Sequence, residues 1–87
     1  NPFNPTTTIE YQLPEASRVT IKVYNVLGQE IKELLDQDMN AGYHTALWNG
    51  TDQSGQHVAS GLYLYKIDAT YGEHSTFTMV KKMMLLK

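Results

Sequence analysis

Hydrophobic and polar residues alternate along most of the chain, and the alternation has the period of strands. In "TTIEYQL" (7–13), Ile9, Tyr11 and Leu13 point one way and Thr8, Glu10 and Gln12 the other, as in a half-buried strand. "PEAS" marks a turn. "RVTIKVY" (18–24) repeats the pattern, with Val19, Ile21 and Val23 inward and Thr20 and Lys22 outward. Two such runs with a short link read as a hairpin. Gly28 in "NVLGQ" predicts a turn with positive φ. "EIKELLDQDM" (30–39) is ambiguous, because Ile31, Leu34 and Leu35 sit at i, i+3 and i+4. That spacing suits a helix, but the run is short and flanked by strands, so a strand is expected. "GYHTALW" (42–48) places His44, Ala46 and Trp48 on one face and Tyr43, Thr45 and Leu47 on the other. "NGTDQSGQ" is a dense turn region with Gly50, Asp52 and Gly55. In "GLYLYKIDA" (61–69), Tyr63, Tyr65 and Ile67 share a face, and Leu62 and Leu64 share the other, so both faces read as covered. Gly61 ahead of it suggests a bulge or a close backbone approach. After a turn at Gly72, "TFTMVKKMMLL" closes the chain. The sum is about seven short strands and no clear helix, which predicts an all-β fold, an immunoglobulin-like antiparallel β-sandwich.

Length sets a limit on what such a fold can do. Eighty-seven residues make one domain, with a thin core and little room for a deep cleft. "NPFNP" at residues 1–5 is linker chemistry. It reads as a seam to an upstream domain, with Phe3 either pinning the seam or simply exposed, and residues 6–87 as the sandwich. The chain does not open on Met, so it reads as a piece of something longer, with any export signal upstream. There are no cysteines, so neither a disulfide nor a thiolate is available. The net charge of −2 argues against nucleic acid. Charge is unevenly distributed: all nine acidic groups precede residue 81, whereas Lys81, Lys82 and Lys87 close the chain. No apolar run approaches the ~20 residues of a membrane span, so membrane insertion is not expected.

No catalytic constellation stands out. His44, His57 and His74 lack ligand spacing, and a metal site needs several convergent ligands. In "DQSG" only Asp52 fits a calcium loop, so a turn capped by Asp52 is the simpler reading. Ser54, Ser60 and Ser75 lack a nucleophile-elbow setting. Glu30 and Glu33 look like a solvated face. "NGT" (49–51) is formally a glycosylation acceptor, but it sits in a tight turn. Tyr43, Trp48, Tyr63, Tyr65 and Tyr71 could form a sugar-binding platform, although core use of Trp48 and one tyrosine face fits a small domain better. No cofactor is expected.

Three stretches together carry a family resemblance: "NPFNPTTTIEYQLPEASRVTIKVYNVLGQEI", "AGYHTALWNGTDQSGQHVASGLYLYKI" and the ending "MVKKMMLLK". Their motifs are Asn-Pro at the start, "YNVLGQ" with Gly28, a G-x-H-x-x-x-W-x-G run from Gly42 through His44 and Trp48 to Gly50, D-x-x-G from Asp52 to Gly55, and S-G-x-Y with Gly61, Tyr63 and Tyr65 beyond. Together they resemble the C-terminal sorting domain of proteins exported by the type IX secretion system, with Asn49 where that family commonly has Asp. The resemblance implies an immunoglobulin-like sandwich that is an address and not an enzyme. It would be read by the outer-membrane translocon and its shuttle proteins after transit of the periplasm. In many members of that family a sortase-like peptidase then removes the domain and attaches the cargo to a surface glycolipid, so a secreted or cell-surface cargo is implied. The recognition element would fall on Lys81, Lys82, Met83, Met84, Leu85, Leu86 and Lys87, with Phe77 and Met79 packed inside as the last strand. Closely similar domains occur in the flagellar hook-capping protein, where the module is a structural scaffold for assembly. A third reading, a carbohydrate-binding accessory module, requires an exposed aromatic stripe.

Overall fold

A computed structural model describes residues 6–86. The linker expected at residues 1–5, Phe3 and the terminal Lys87 lie outside the described residues. Six strands follow one another: β1 (Thr7–Leu13), β2 (Ser17–Asn25), β3 (Glu30–Met39), β4 (Gly42–Trp48), β5 (Gly61–Tyr71) and β6 (Ser75–Leu85). They form a two-stranded sheet, β1-β4, and a four-stranded sheet in the order β3-β2-β5-β6. Every pairing is antiparallel. This is the expected all-β sandwich, with six strands where about seven were expected. The stretch between β4 and β5 contributes only a bridge, Thr51 to His57.

The core lies between the two sheets and is built from the alternating positions. Ile9, Tyr11 and Leu13 come from β1 and Trp48 from β4; Val19, Ile21 and Val23 come from β2, and Tyr63, Tyr65, Ile67 and Ala69 from β5. β2 and β5 are the central strands of the larger sheet, which is why their inward residues are almost completely buried. Burying a Val, Ile or Leu side chain stabilises by about 1.5–3 kcal/mol, so these strands hold the domain together.

Four expectations need correction. β1 and β2 are not a hairpin: β1 pairs with β4, whereas β2 pairs with β3 and β5. The link at 14–16 crosses from one sheet to the other, and the Ser17 hydroxyl donates to the Glu15 carbonyl at 2.8 Å to hold the bend. Gly61 makes neither a bulge nor a close approach. It pairs in register with Leu85, and a side chain there would meet nothing within 4 Å. The outer face of β5 is not fully covered, since Leu62 is exposed. Phe77 is 47% exposed. It faces inward opposite Ala69, at the end of β6 away from the buried Met83 and Leu85. Met79, two residues on, is partly buried against the core.

The ambiguous segment is the strand β3. Its helix-like spacing has a specific cause. The β2–β3 register slips twice, between Ile21 and Lys22 and between Val23 and Tyr24. The skipped residues are Leu34 and Ile31, each an extra residue that resets the alternation. Both still pack against the core.

Candidate functional site

The sequence motifs converge on one end of the sandwich, around Trp48. Trp48 is fully buried. Its indole Nε1–H donates to the Thr51 carbonyl at 2.9 Å, and its ring meets Tyr63 edge-on, with centroids 5.0 Å apart. The Tyr63 hydroxyl donates to the Ala59 carbonyl at 2.6 Å. Each aromatic thus has its body in the core and its polar tip satisfied by the loop between β4 and β5. Tyr65 is also buried, and burial pushes its hydroxyl pKa up.

The turn after Trp48 is locked by side chains. Thr51 is buried; its hydroxyl donates to Asn49 Oδ1 at 2.6 Å and accepts from Lys32 Nζ at 2.9 Å. The "NGT" stretch is therefore a packed turn, and Asn49 fills the turn role expected of it. Asp52 Oδ1 accepts from the Ser54 amide at 3.0 Å, the Ser54 hydroxyl at 2.7 Å and the Gln56 amide at 3.0 Å. The Ser54 hydroxyl, then the Gln56 amide, hold the Asp52 pKa below its ordinary value by stabilising the carboxylate. This carboxylate caps a turn, as expected, and among the described residues no cluster of three acidic, histidine or cysteine side chains could hold a metal ion. Gln53 reaches across to β3: its amide donates to the Ile31 carbonyl and its side-chain Oε1 accepts from the Glu33 amide, both at 3.0 Å.

Gly50 joins this turn to the end of the chain. Its φ is +76°, and a Cβ there would stand 3.2 Å from both Leu85 methyl groups. Glycine is therefore needed twice over, for its conformation and for Leu85 to pack beneath it. Leu85 is 1% exposed and Met83 8% exposed, whereas Met84 and Leu86 are 58% and 73% exposed. Strand alternation thus splits residues 82–86 of the tail, and Lys81, opposite Tyr65, is exposed despite its inward parity. Met83 and Leu85 finish the core opposite Tyr63 and Gly61, and Lys81, Lys82, Met84 and Leu86 meet solvent.

The remaining motif residues lie elsewhere. Gly28, with φ +83°, closes the β2–β3 turn by donating its amide to the Asn25 carbonyl at 3.0 Å. Gly42 opens β4 and Gly55 sits in the Asp52 turn. His44 faces inward at the far end of β4 from Trp48. Its Nε2 lies 2.6 Å from the Asn40 carbonyl, so that nitrogen carries the proton. Its ring lies 5.4 Å from that of Tyr11. The Tyr11 hydroxyl is buried without a protein partner, and burial pushes its pKa up. Sequence reasoning placed Trp48 and Tyr63 correctly but missed Lys32, Thr51 and Gln53. Their partners are about twenty residues away, and no local pattern announces them.

The FlgD Ig-like domain family matches residues 4–73. The chain belongs to that family. Its fold also matches the crystal structure of FlgD from P. aeruginosa, with a TM-score of 0.74 at 23% identity, over 92% of this chain and 61% of that one. The chain thus spans about three-fifths of that FlgD. No curated protein matches the chain. The FlgD assignment overturns the type IX sorting-domain reading. The carbohydrate-binding alternative fails on burial, since Trp48, Tyr63 and Tyr65 lie in the core and form no exposed stripe.

Proposed function

We propose that this domain is a non-catalytic structural scaffold, a module that supports assembly as in flagellar hook-capping proteins. The observation that carries this reading is the FlgD Ig-like family match over residues 4–73. Side-chain chemistry agrees with it. The polar groups around Trp48 are spent on holding a turn against a core. The Asp52 carboxylate is likewise spent on its own loop.

The test is a chimera. In a P. aeruginosa strain lacking FlgD, the Ig-like domain of FlgD is replaced by residues 1–87, and hooks are examined by electron microscopy alongside swimming. Hook formation is the expected result. Hookless cells carrying a folded, stably expressed chimera, beside a fully restored FlgD control, would overturn the reading.

A further inference from the structure

The four-stranded sheet has two unlike edges. β6 pairs with β5 on one side and, among the described residues, with no strand on the other. An 11-residue strand whose outer row of backbone donors and acceptors is paired by no described strand is a template for pairing. Its charged residues are Lys81 and Lys82, with no carboxylate. The opposite edge, β3, carries Glu30, Glu33, Asp36 and Asp38 against the single Lys32. All four carboxylates lie on the outer face, since they stand opposite the outward residues Tyr24, Lys22, Thr20 and Arg18 of β2. Arg18 and Lys22 supply two cations, at 3.0 Å from Asp36, 3.7 Å from Asp38 and 3.4 Å from Glu30. Two cations against four carboxylates leave the edge acidic, and the Asp38 side chain is 87% exposed.

We propose that β6 of one copy pairs edge to edge with β3 of a second copy, extending the sheet from molecule to molecule. Three features agree on this partner. The first is direction. Strands alternate in the order β3-β2-β5-β6, so a copy placed alongside by translation presents β3 antiparallel to β6, with the core faces on the same side. The second is the space left open. Gln53 already occupies the β3 edge at Ile31 and Glu33, so the accessible part is residues 35–39. The third is register. Setting Lys82 opposite Asp36, with Asp38 on the diagonal, also sets Met83 against Leu35 and Met79 against Met39 on the core face. Opposite charges and apolar pairs directly across a sheet both stabilise. A two-fold β6–β6 contact centred on the lysines puts like charges face to face, and β3–β3 opposes acid to acid. The lysines that bar self-pairing thus select the acidic edge. A head-to-tail contact of this kind builds an open row or a closed ring.

The inference deepens the scaffold reading and rests on it for its purpose. It is tested on the isolated chain, so its failure is distinct from a failure of hook assembly in cells. The experiment is sedimentation velocity on residues 1–87 from about 10 µM to about 1 mM, at about 20 mM and about 500 mM salt. The expected result is a mass that rises with concentration past the dimer at low salt and falls back at high salt. Lys82→Glu and Asp36→Lys each weaken association roughly tenfold. Mixing the two variants, or combining them in one chain, restores it. Lys82→Gln and Asp36→Asn serve should a reversal unfold the domain. A chain that stays monomeric at about 1 mM in low salt overturns the proposal. So does association that stops at a dimer, or single-variant losses that mixing does not rescue.

Discussion

Replacing Leu85 with alanine tests whether the end of the chain is core or an exposed recognition element. Leu85 is 1% exposed and packs against the Gly50 turn. Truncating a buried leucine costs about 2–5 kcal/mol, the transfer term plus the cavity left behind. Gly50 is backbone in a locked turn and cannot collapse into that cavity, so about 3 kcal/mol is a fair centre of the range. A domain of this size holds roughly 4–13 kcal/mol in total, so the variant should remain folded but lose a large part of its stability. The thermal midpoint should drop by about 12–24 °C, from roughly 4–8 °C per kcal/mol in a domain this small. The assay is thermal and urea unfolding followed by the fluorescence of Trp48, the single tryptophan. Leu86→Ala is the control. Leu86 is 73% exposed, and its loss should stay within about 0.5 kcal/mol. A Leu85→Ala cost below about 1 kcal/mol, or equal costs at 85 and 86, would refute the assignment of Leu85 to the core.

Four further outcomes follow from the same packing. Trp48→Ala should cost roughly 3–5 kcal/mol, and a denaturant midpoint near that of the parent would show that Trp48 is not buried. Gly50→Ala should cost more than Gly28→Ala, since both have positive φ but only the first meets Leu85; adding Leu85→Ala should recover part of the excess in a double-mutant cycle, and simple additivity would count against the contact. Tyr11→Phe should be neutral or stabilising by about 1 kcal/mol, because the hydroxyl is buried without a protein partner; a clear loss in urea midpoint would reveal a partner. Asp52 has a folded pKa below its ordinary 3.8, so the stability it adds is present above that pH and fades as pH falls through the folded value. The gap in midpoint between the parent and Asp52→Asn should therefore be wider at neutral pH than in acid, and a gap that does not change with pH would remove the charge from the account.

Most of the fold was legible because alternation and burial are the same information in a strand. Ile9, Tyr11 and Leu13, then Val19, Ile21 and Val23, then Tyr63, Tyr65 and Ile67 all lie inward as their spacing required. What alternation cannot supply is pairing. The three-residue link between Leu13 and Ser17 suits a hairpin, yet it crosses between the sheets. Partner choice is set by long-range contacts that a single chain does not advertise. Alternation also assigns a side without saying what covers it. Phe77 has the right parity and remains half exposed, whereas Met83 and Leu85 of the same strand are buried. In β3 the period was ambiguous, although the strand expected there is the one found. Two register slips put Ile31 and Leu34 out of step with a strand and briefly in step with a helix.

The C-terminal tail shows where composition stops being informative. "VKKMMLLK" contains what an exposed apolar-basic signal needs and also what a final edge strand needs. The strand register separates the two readings. Met83 and Leu85 stand opposite Tyr63 and Gly61, and Leu85 reaches Gly50, thirty-five positions earlier. In one sequence Gly50 reads only as a turn residue, and nothing there says which side chain its missing Cβ makes room for. With that contact in place, Met83 and Leu85 belong to the interior and cannot be handed to a partner without opening the sandwich. The outward residues Lys82, Met84 and Leu86, together with the edge of β6 that no described strand pairs, are what the domain can offer to another molecule at no cost to its own core. Lys82 on the outward side of β6 and the carboxylates on the outward side of β3 are complementary in charge at the two edges of one sheet.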